Sequence, residues 1–87
     1  MPAQFPYALT AHAERVIAER EIPLAWVARV LSRPTKTEPD RQDPTLRHAL
    51  AEIPEHGGRV LRVVYNETTQ LWIVITAYFD RGQRGRL

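Results

Sequence analysis

An 87-residue chain of 10.0 kDa has room for one small domain. At 44% hydrophobic and 25% charged, with two Trp, three Tyr and two Phe, its composition is that of a folded globule and not of a disordered chain. The absence of cysteine excludes a disulfide framework and any thiolate metal site. No apolar run approaches the ~18 residues of a membrane span, and Pro2 and Pro6 break any signal-peptide pattern, so a soluble cytoplasmic protein is expected.

Residues 1–7 read as an extended lead-in, since both prolines disfavour helix around them. Thr10 is an N-cap candidate for a helix over residues 10–20, whose interior lacks Gly and Pro. At ~100° per residue, Leu9, Ala13, Val16 and Arg20 fall on one narrow stripe. A guanidinium on an apolar stripe needs acceptors, so Arg20 is expected to be held by a carboxylate such as Asp80 or by a backbone carbonyl at a strand end. Pro23 suits the first turn of a second helix, residues 23–32, which Pro34 stops. Leu24, Val27, Val30 and Leu31 form its apolar side, with Trp26 beside them. Three prolines between positions 34 and 44 leave room there for an edge strand at most.

The remainder has another texture. Residues 46–53, 59–66 and 71–79 are strand-like runs, the last two rich in Val, Ile, Tyr and Trp, and turn-forming stretches separate them. The predicted fold is therefore α+β, with two N-terminal helices packed on one face of an antiparallel sheet of three to four strands. If a five-residue loop joins the last two strands, Leu71 pairs with Tyr65, Ile73 with Val63 and Ile75 with Leu61. Those pairs are all apolar, which assigns that face to the helices. The opposite face then carries Val60, Arg62, Val64, Trp72, Val74, Thr76 and Tyr78, and the preceding turn brings His48 and Leu50 onto it. Such a mixture of aromatic, basic and aliphatic groups suits unstacked bases and their phosphates. It equally suits cover by a loop or by a second copy of the chain in a homodimer.

Net charge is only +2, but arginine outnumbers lysine eleven to one, Lys36 being the single lysine. Arginine forks match phosphate better than lysine point charges do, although base composition alone also produces such a bias. The C-terminal segment from Asp80 to Leu87 holds three Arg and two Gly, and is either solvated or able to reach along an RNA backbone.

Leu9-Thr10-Ala11-His12-Ala13, Glu19-Arg20-Glu21-Ile22 and Trp26-Val27-Ala28-Arg29-Val30-Leu31 resemble the opening of a bacterial domain-of-unknown-function family numbered 4258. Arg59 to Asn66 and Val74 to Arg81 match its later pieces, so the resemblance spans nearly the whole chain. That family is similar to the RelE- and BrnT-type toxins. The resemblance implies a RelE-like fold, metal-independent RNA cleavage, and a role as the toxin of a toxin–antitoxin pair with a small antitoxin protein as partner. Many relatives carry an Arg four residues after the first-helix His. Here that position is Val16, and Arg15 stands about 100° away around the helix.

Cleavage of RNA without a metal needs a base for the 2′-hydroxyl, an acid for the leaving oxygen and cations for the phosphorane. His48 is the candidate base because it shares a face with Arg62, and His12 is a second candidate. Thr76 and Tyr78 can orient the scissile phosphate, while Arg20, Arg62 and Arg81 are candidate phosphate ligands. His12, His48 and His56 lack metal-ligand spacing and no phosphate-cradling glycine loop is present, so neither metal nor cofactor is expected. The alternative is a non-catalytic module that uses the same open face to bind a protein.

Overall fold

The computed structural model describes residues 6–87. Most of the lead-in expected over residues 1–7 lies outside them, and a short strand, β1 (Tyr7–Leu9), opens the fold. Helices α1 (Ala11–Glu19) and α2 (Leu24–Ser32) come next, then β2 (Lys36–Pro39), β3 (Leu46–Ile53), β4 (Arg59–Asn66) and β5 (Trp72–Phe79). Strand order is β1-β5-β4-β3-β2, with β1 parallel to β5 and every other pairing antiparallel. The α+β class with two helices therefore stands. The expectation of three to four antiparallel strands is corrected to five strands in a mixed sheet among the described residues, because two short segments join the edges.

Both helices begin and end for local reasons. Thr10 caps α1, its side-chain oxygen accepting from the Ala13 amide at 3.0 Å. At the other end the Ile22 amide reaches the Ile17 carbonyl at 3.0 Å and the Glu21 amide reaches Ala18 at 3.1 Å. This double closure is a Schellman motif, completed by burial of both Ile17 and Ile22. Its left-handed residue is Glu21, at φ 54°, where glycine would be usual. Pro23 is the N-cap of α2, one place before the helix, and Leu24 is 52% exposed instead of joining the apolar side.

Both helices pack on one sheet face. Ala13, Ile17, Val27, Val30 and Leu31 meet Ala49, Ala51, Ile53, Leu61, Val63, Tyr65, Val74 and Ala77 in a continuous core. Trp26, His56 and Phe79 close one end, with the His56 and Phe79 rings 4.8 Å apart, while Tyr65 and Trp72 stack at 4.9 Å.

The β4–β5 register differs from the expected one. Leu61 pairs with Phe79, four residues beyond Ile75, and Tyr65 pairs with Val74, three beyond Leu71. A longer β4–β5 connection makes the shift, and the difference of one between its two values is a β-bulge on β5 at Ile75, between the Val64–Thr76 and Tyr65–Val74 pairs. An even shift preserves the face and an odd one reverses it. Leu61 and Val63 therefore face the helices as expected, and Arg62, Val64, Thr76 and Tyr78 share the second face. Ile73 and Ile75, expected under the helices, are half-buried and outside that core, whereas Val74 and Trp72 pack on the helix side.

Candidate functional site

Cross-strand pairing assembles the second face in two rows. Glu38, His48, Val64 and Thr76 stand opposite one another across β2, β3, β4 and β5, and Lys36, Leu50, Arg62 and Tyr78 form the next row. Asp80, just past β5, is pinned through its amide to the Val60 carbonyl at 2.9 Å. Leu50, Val60 and Val64 are buried among these polar groups.

Arg62 is the centre. Only 7% of it is exposed, so its charge needs compensation inside the protein. Its Nε donates to Asp80 Oδ2 at 2.8 Å, with Nη2 in ion-pair contact with the same oxygen at 2.8 Å, and its Nη1 donates to Glu38 Oε2 at 3.2 Å and to His48 Nδ1 at 2.7 Å. Burial works against the guanidinium charge, but the hydrogen bonds to Asp80 and Glu38 outweigh it and raise the Arg62 pKa. The same contact with Arg62 lowers the pKa of Glu38, which also lies 3.4 Å from Lys36 Nζ.

A guanidinium only donates, so His48 Nδ1 must be an acceptor, which leaves the proton on Nε2. Nε2 donates to Asp40 Oδ1 at 2.7 Å. Asp40 is aimed by its own turn, in which Oδ2 accepts from the amides of Gln42 and Asp43 at 3.1 and 3.0 Å. The contact with His48, helped by those two amides, holds the Asp40 carboxyl down at about 2. The imidazole is thus fixed in one tautomer between an acceptor and a donor. These groups line an open groove of about 310 Å³ that also includes Arg41 and Tyr78. Among the described residues the Tyr78 hydroxyl has no hydrogen-bond partner. No three His, Asp or Glu side chains among those residues converge as metal ligands.

The remaining candidates are scattered. Thr76 lies half-buried in the His48 row. His12 is exposed on α1, 3.3 Å from Arg15 Nη2, so the sheet stands between it and His48. Val16 is buried in the helix layer at 5% exposure. Arg20 serves the helix side too: its Nη1 donates at 2.7 Å to the Ala77 carbonyl, beyond the end of β1, where among the described residues β5 has no strand neighbour on that side. Its partner is thus the backbone carbonyl, and Asp80 belongs to Arg62. Arg81 follows Asp80 into a short 3₁₀ turn and is exposed.

Two groups central to this site, Glu38 and Asp40, were absent from the candidates, and Asp80 was expected only as a partner for Arg20. The signal for Asp40 was its place at a turn entry, three residues before Asp43 and eight before His48. Glu38 joins them only once β2 is recognised as a strand paired with β3.

Residues 9–79 match the family described as a domain of unknown function, DUF4258, and the chain belongs to that family. No match was found among curated proteins or among solved structures. Among the described residues no helix is long and apolar enough to cross a membrane.

Proposed function

We propose that this member of the DUF4258 family is a metal-independent ribonuclease, the RelE- or BrnT-like toxin of a bacterial toxin–antitoxin pair, acting on RNA laid over the second sheet face. The observation that carries the reading is the Asp40–His48–Arg62 chain, an imidazole oriented at both nitrogens on the floor of an open groove. A phosphate entering the groove competes for Arg62 Nη1, whose bond to Glu38 is its longest at 3.2 Å. Drawing that donor away frees the lone pair of His48 Nδ1, while Asp40 keeps Nε2 protonated and the ring in place. Nδ1 then takes the 2′-hydroxyl proton as the 2′-oxygen bonds to phosphorus. The P–O5′ bond breaks, and the 5′-oxygen takes a proton from Tyr78. Thr76 orients the phosphate. His12 and Arg20, on the helix side, have no part in this step. A small antitoxin would silence the enzyme by covering the groove.

A second reading has its own observation. Arg62 already makes three hydrogen bonds and a further ion-pair contact inside the protein, and Glu38, Asp40 and Asp80 surround it. A satisfied polar network of this kind suits a non-catalytic module that binds a protein partner, or a second copy of the chain, on the same face.

The test is purified protein against single-stranded RNA with chelator present. His48→Ala is expected to lose ~10²–10⁴ in cleavage rate, and Tyr78→Phe to lose rate while keeping the fold. Wild type that leaves RNA intact, with and without ribosomes, would overturn the ribonuclease and leave the binding module.

A further inference from the structure

The groove has the groups for proton transfer but a poor charge for its substrate. Three carboxylates line it, and its buried cation is already paired. Affinity for a polyanion has to come from elsewhere, and directly behind Asp80 lies a second cavity of about 330 Å³ with the opposite character. Its rim is Arg59, Arg81 and Arg84, and its floor is Val60 and Phe79. The volume falls at the small end of ligand pockets, ~300–1,000 Å³.

The three guanidinium groups differ from those paired elsewhere. Arg29, Arg47 and Arg62 each lie within 4.0 Å of a carboxylate, whereas among the described residues the rim arginines have no such partner. Arg84 Nη2 donates to the Gly57 carbonyl at 3.1 Å and Arg59 Nη1 lies 3.4 Å from His56 Nε2, contacts that restrain both groups without neutralising them. The one acid on the rim, Asp80, is already occupied: Oδ2 accepts from Arg62 and Oδ1 from the Gly82 amide at 3.0 Å. Guanidinium groups without a carboxylate partner bind phosphate, and the half-buried Phe79 ring, packed against His56 and Trp26 on its inner side, leaves aromatic surface in the pocket for a base.

We propose that this pocket is the anchor for one nucleotide of single-stranded RNA, its phosphate held by Arg59, Arg81 and Arg84 and its base laid on Phe79. The assignment rests on the RNA reading of the neighbouring groove and supplies what that groove lacks. Asp80 joins the two: its carboxylate positions Arg62 on one side and closes the rim of the anchor on the other. A strand held here presents its adjoining nucleotide to His48.

A 2′-O-methyl RNA pentamer, which has no free 2′-hydroxyl and cannot be cut, separates anchoring from cleavage. Its binding is measured by fluorescence anisotropy over a range of salt concentrations. Arg59→Ala and Arg81→Ala should each weaken binding ~10-fold and lower the salt slope by ~0.7. Phe79→Leu should weaken it with the slope unchanged. Arg33→Ala, which removes the same charge from the far end of α2, should bind as wild type does, and thermal melts confirm that every variant is folded. Wild-type affinity in the Arg59→Ala/Arg81→Ala double variant overturns the anchor, as does a poly-glutamate peptide that binds as tightly as the pentamer. Cleavage of RNA that is indifferent to the rim arginines sinks the anchor and leaves the ribonuclease. Rim-dependent binding by a wild type that never cuts does the reverse.

Discussion

The two faces of the sheet solve the same burial problem by different means. On the helix face, Leu61, Val63, Val74 and Ala77 are fully buried against α1 and α2, and hydrocarbon contact supplies the cohesion. On the second face the most buried polar group is Arg62, and its neighbours are an aspartate, a glutamate and a histidine drawn from β2, β3 and the end of β5. The first arrangement is non-directional and tolerates adjustment. The second needs every member in place, since removing one leaves another unpaired. The molecule thus keeps its stability mainly on one side of the sheet and its polar chemistry on the other.

Two neighbouring residues of β4, one on each face, test this contrast most sharply. Leu61→Ala opens a cavity under the helices and is expected to cost about 3 kcal/mol, roughly 15 °C in Tm. Arg62→Met keeps the volume but strands Asp80 and Glu38 beside each other. Breaking a fully buried pair costs ~3–5 kcal/mol, and the partial exposure of both acids, 22% and 36%, lowers the expectation to about 2 kcal/mol. Adding Asp80→Asn to Arg62→Met should restore part of that loss, while the same change added to Leu61→Ala should only lower Tm further. Equal Tm for Arg62→Met and wild type would show that the second face does not depend on its network.

How far this contrast was legible depends on which local rule carried it. Helix positions, the Thr10 cap and strands β3 to β5 emerge from period and turn chemistry, which act over a few residues. Arg62, Thr76, Tyr78 and His48 were placed on one face correctly because pairing parity survives an even shift in register. The bulge at Ile75 left no local mark: the run from Trp72 to Phe79 contains no Gly or Pro, and it alone reversed Ile73 and Val74. Strand β1 is three residues long and pairs with a partner some 65 positions away, so only tertiary contact reveals it. In Lys36-Thr37-Glu38-Pro39 no apolar alternation sets a register. The carboxylates that complete the site, Glu38 and Asp40, stayed hidden for that reason.

A smaller effect is expected for the cation that serves the helix side. Arg20 is exposed and places one donor on the Ala77 carbonyl, beyond the stretch of β5 that β1 covers. Arg20→Ala should cost about 1 kcal/mol, because water can replace much of the lost hydrogen bond. Arg20→Lys should recover part of it by reaching the same carbonyl. If Arg20→Ala melts with wild type yet weakens RNA binding, the residue belongs to the substrate and not to the fold.

The smallest effect is a matter of acid. Asp40 has a folded-state pKa of about 2, below the unfolded value of ~3.9, because it accepts from His48 and from two backbone amides. A carboxyl with a depressed folded pKa stabilises the protein fully above its unfolded pKa and loses that contribution as pH falls through the folded one. The window is therefore pH ~4 down to about 2. Glu55, held at about 2 by Arg29 on the helix side, titrates through much of the same window, so the wild-type slope is a sum over both faces. Asp40→Asn should flatten the fall of Tm between pH 4 and 2, and Glu55→Gln should flatten it independently. Leu61→Ala should lower the whole curve without changing its slope, since it removes no titrating group. An unchanged slope for Asp40→Asn would mean that the Asp40–His48 bond does not form in solution, and the orientation of the His48 ring would have to come from Arg62 alone.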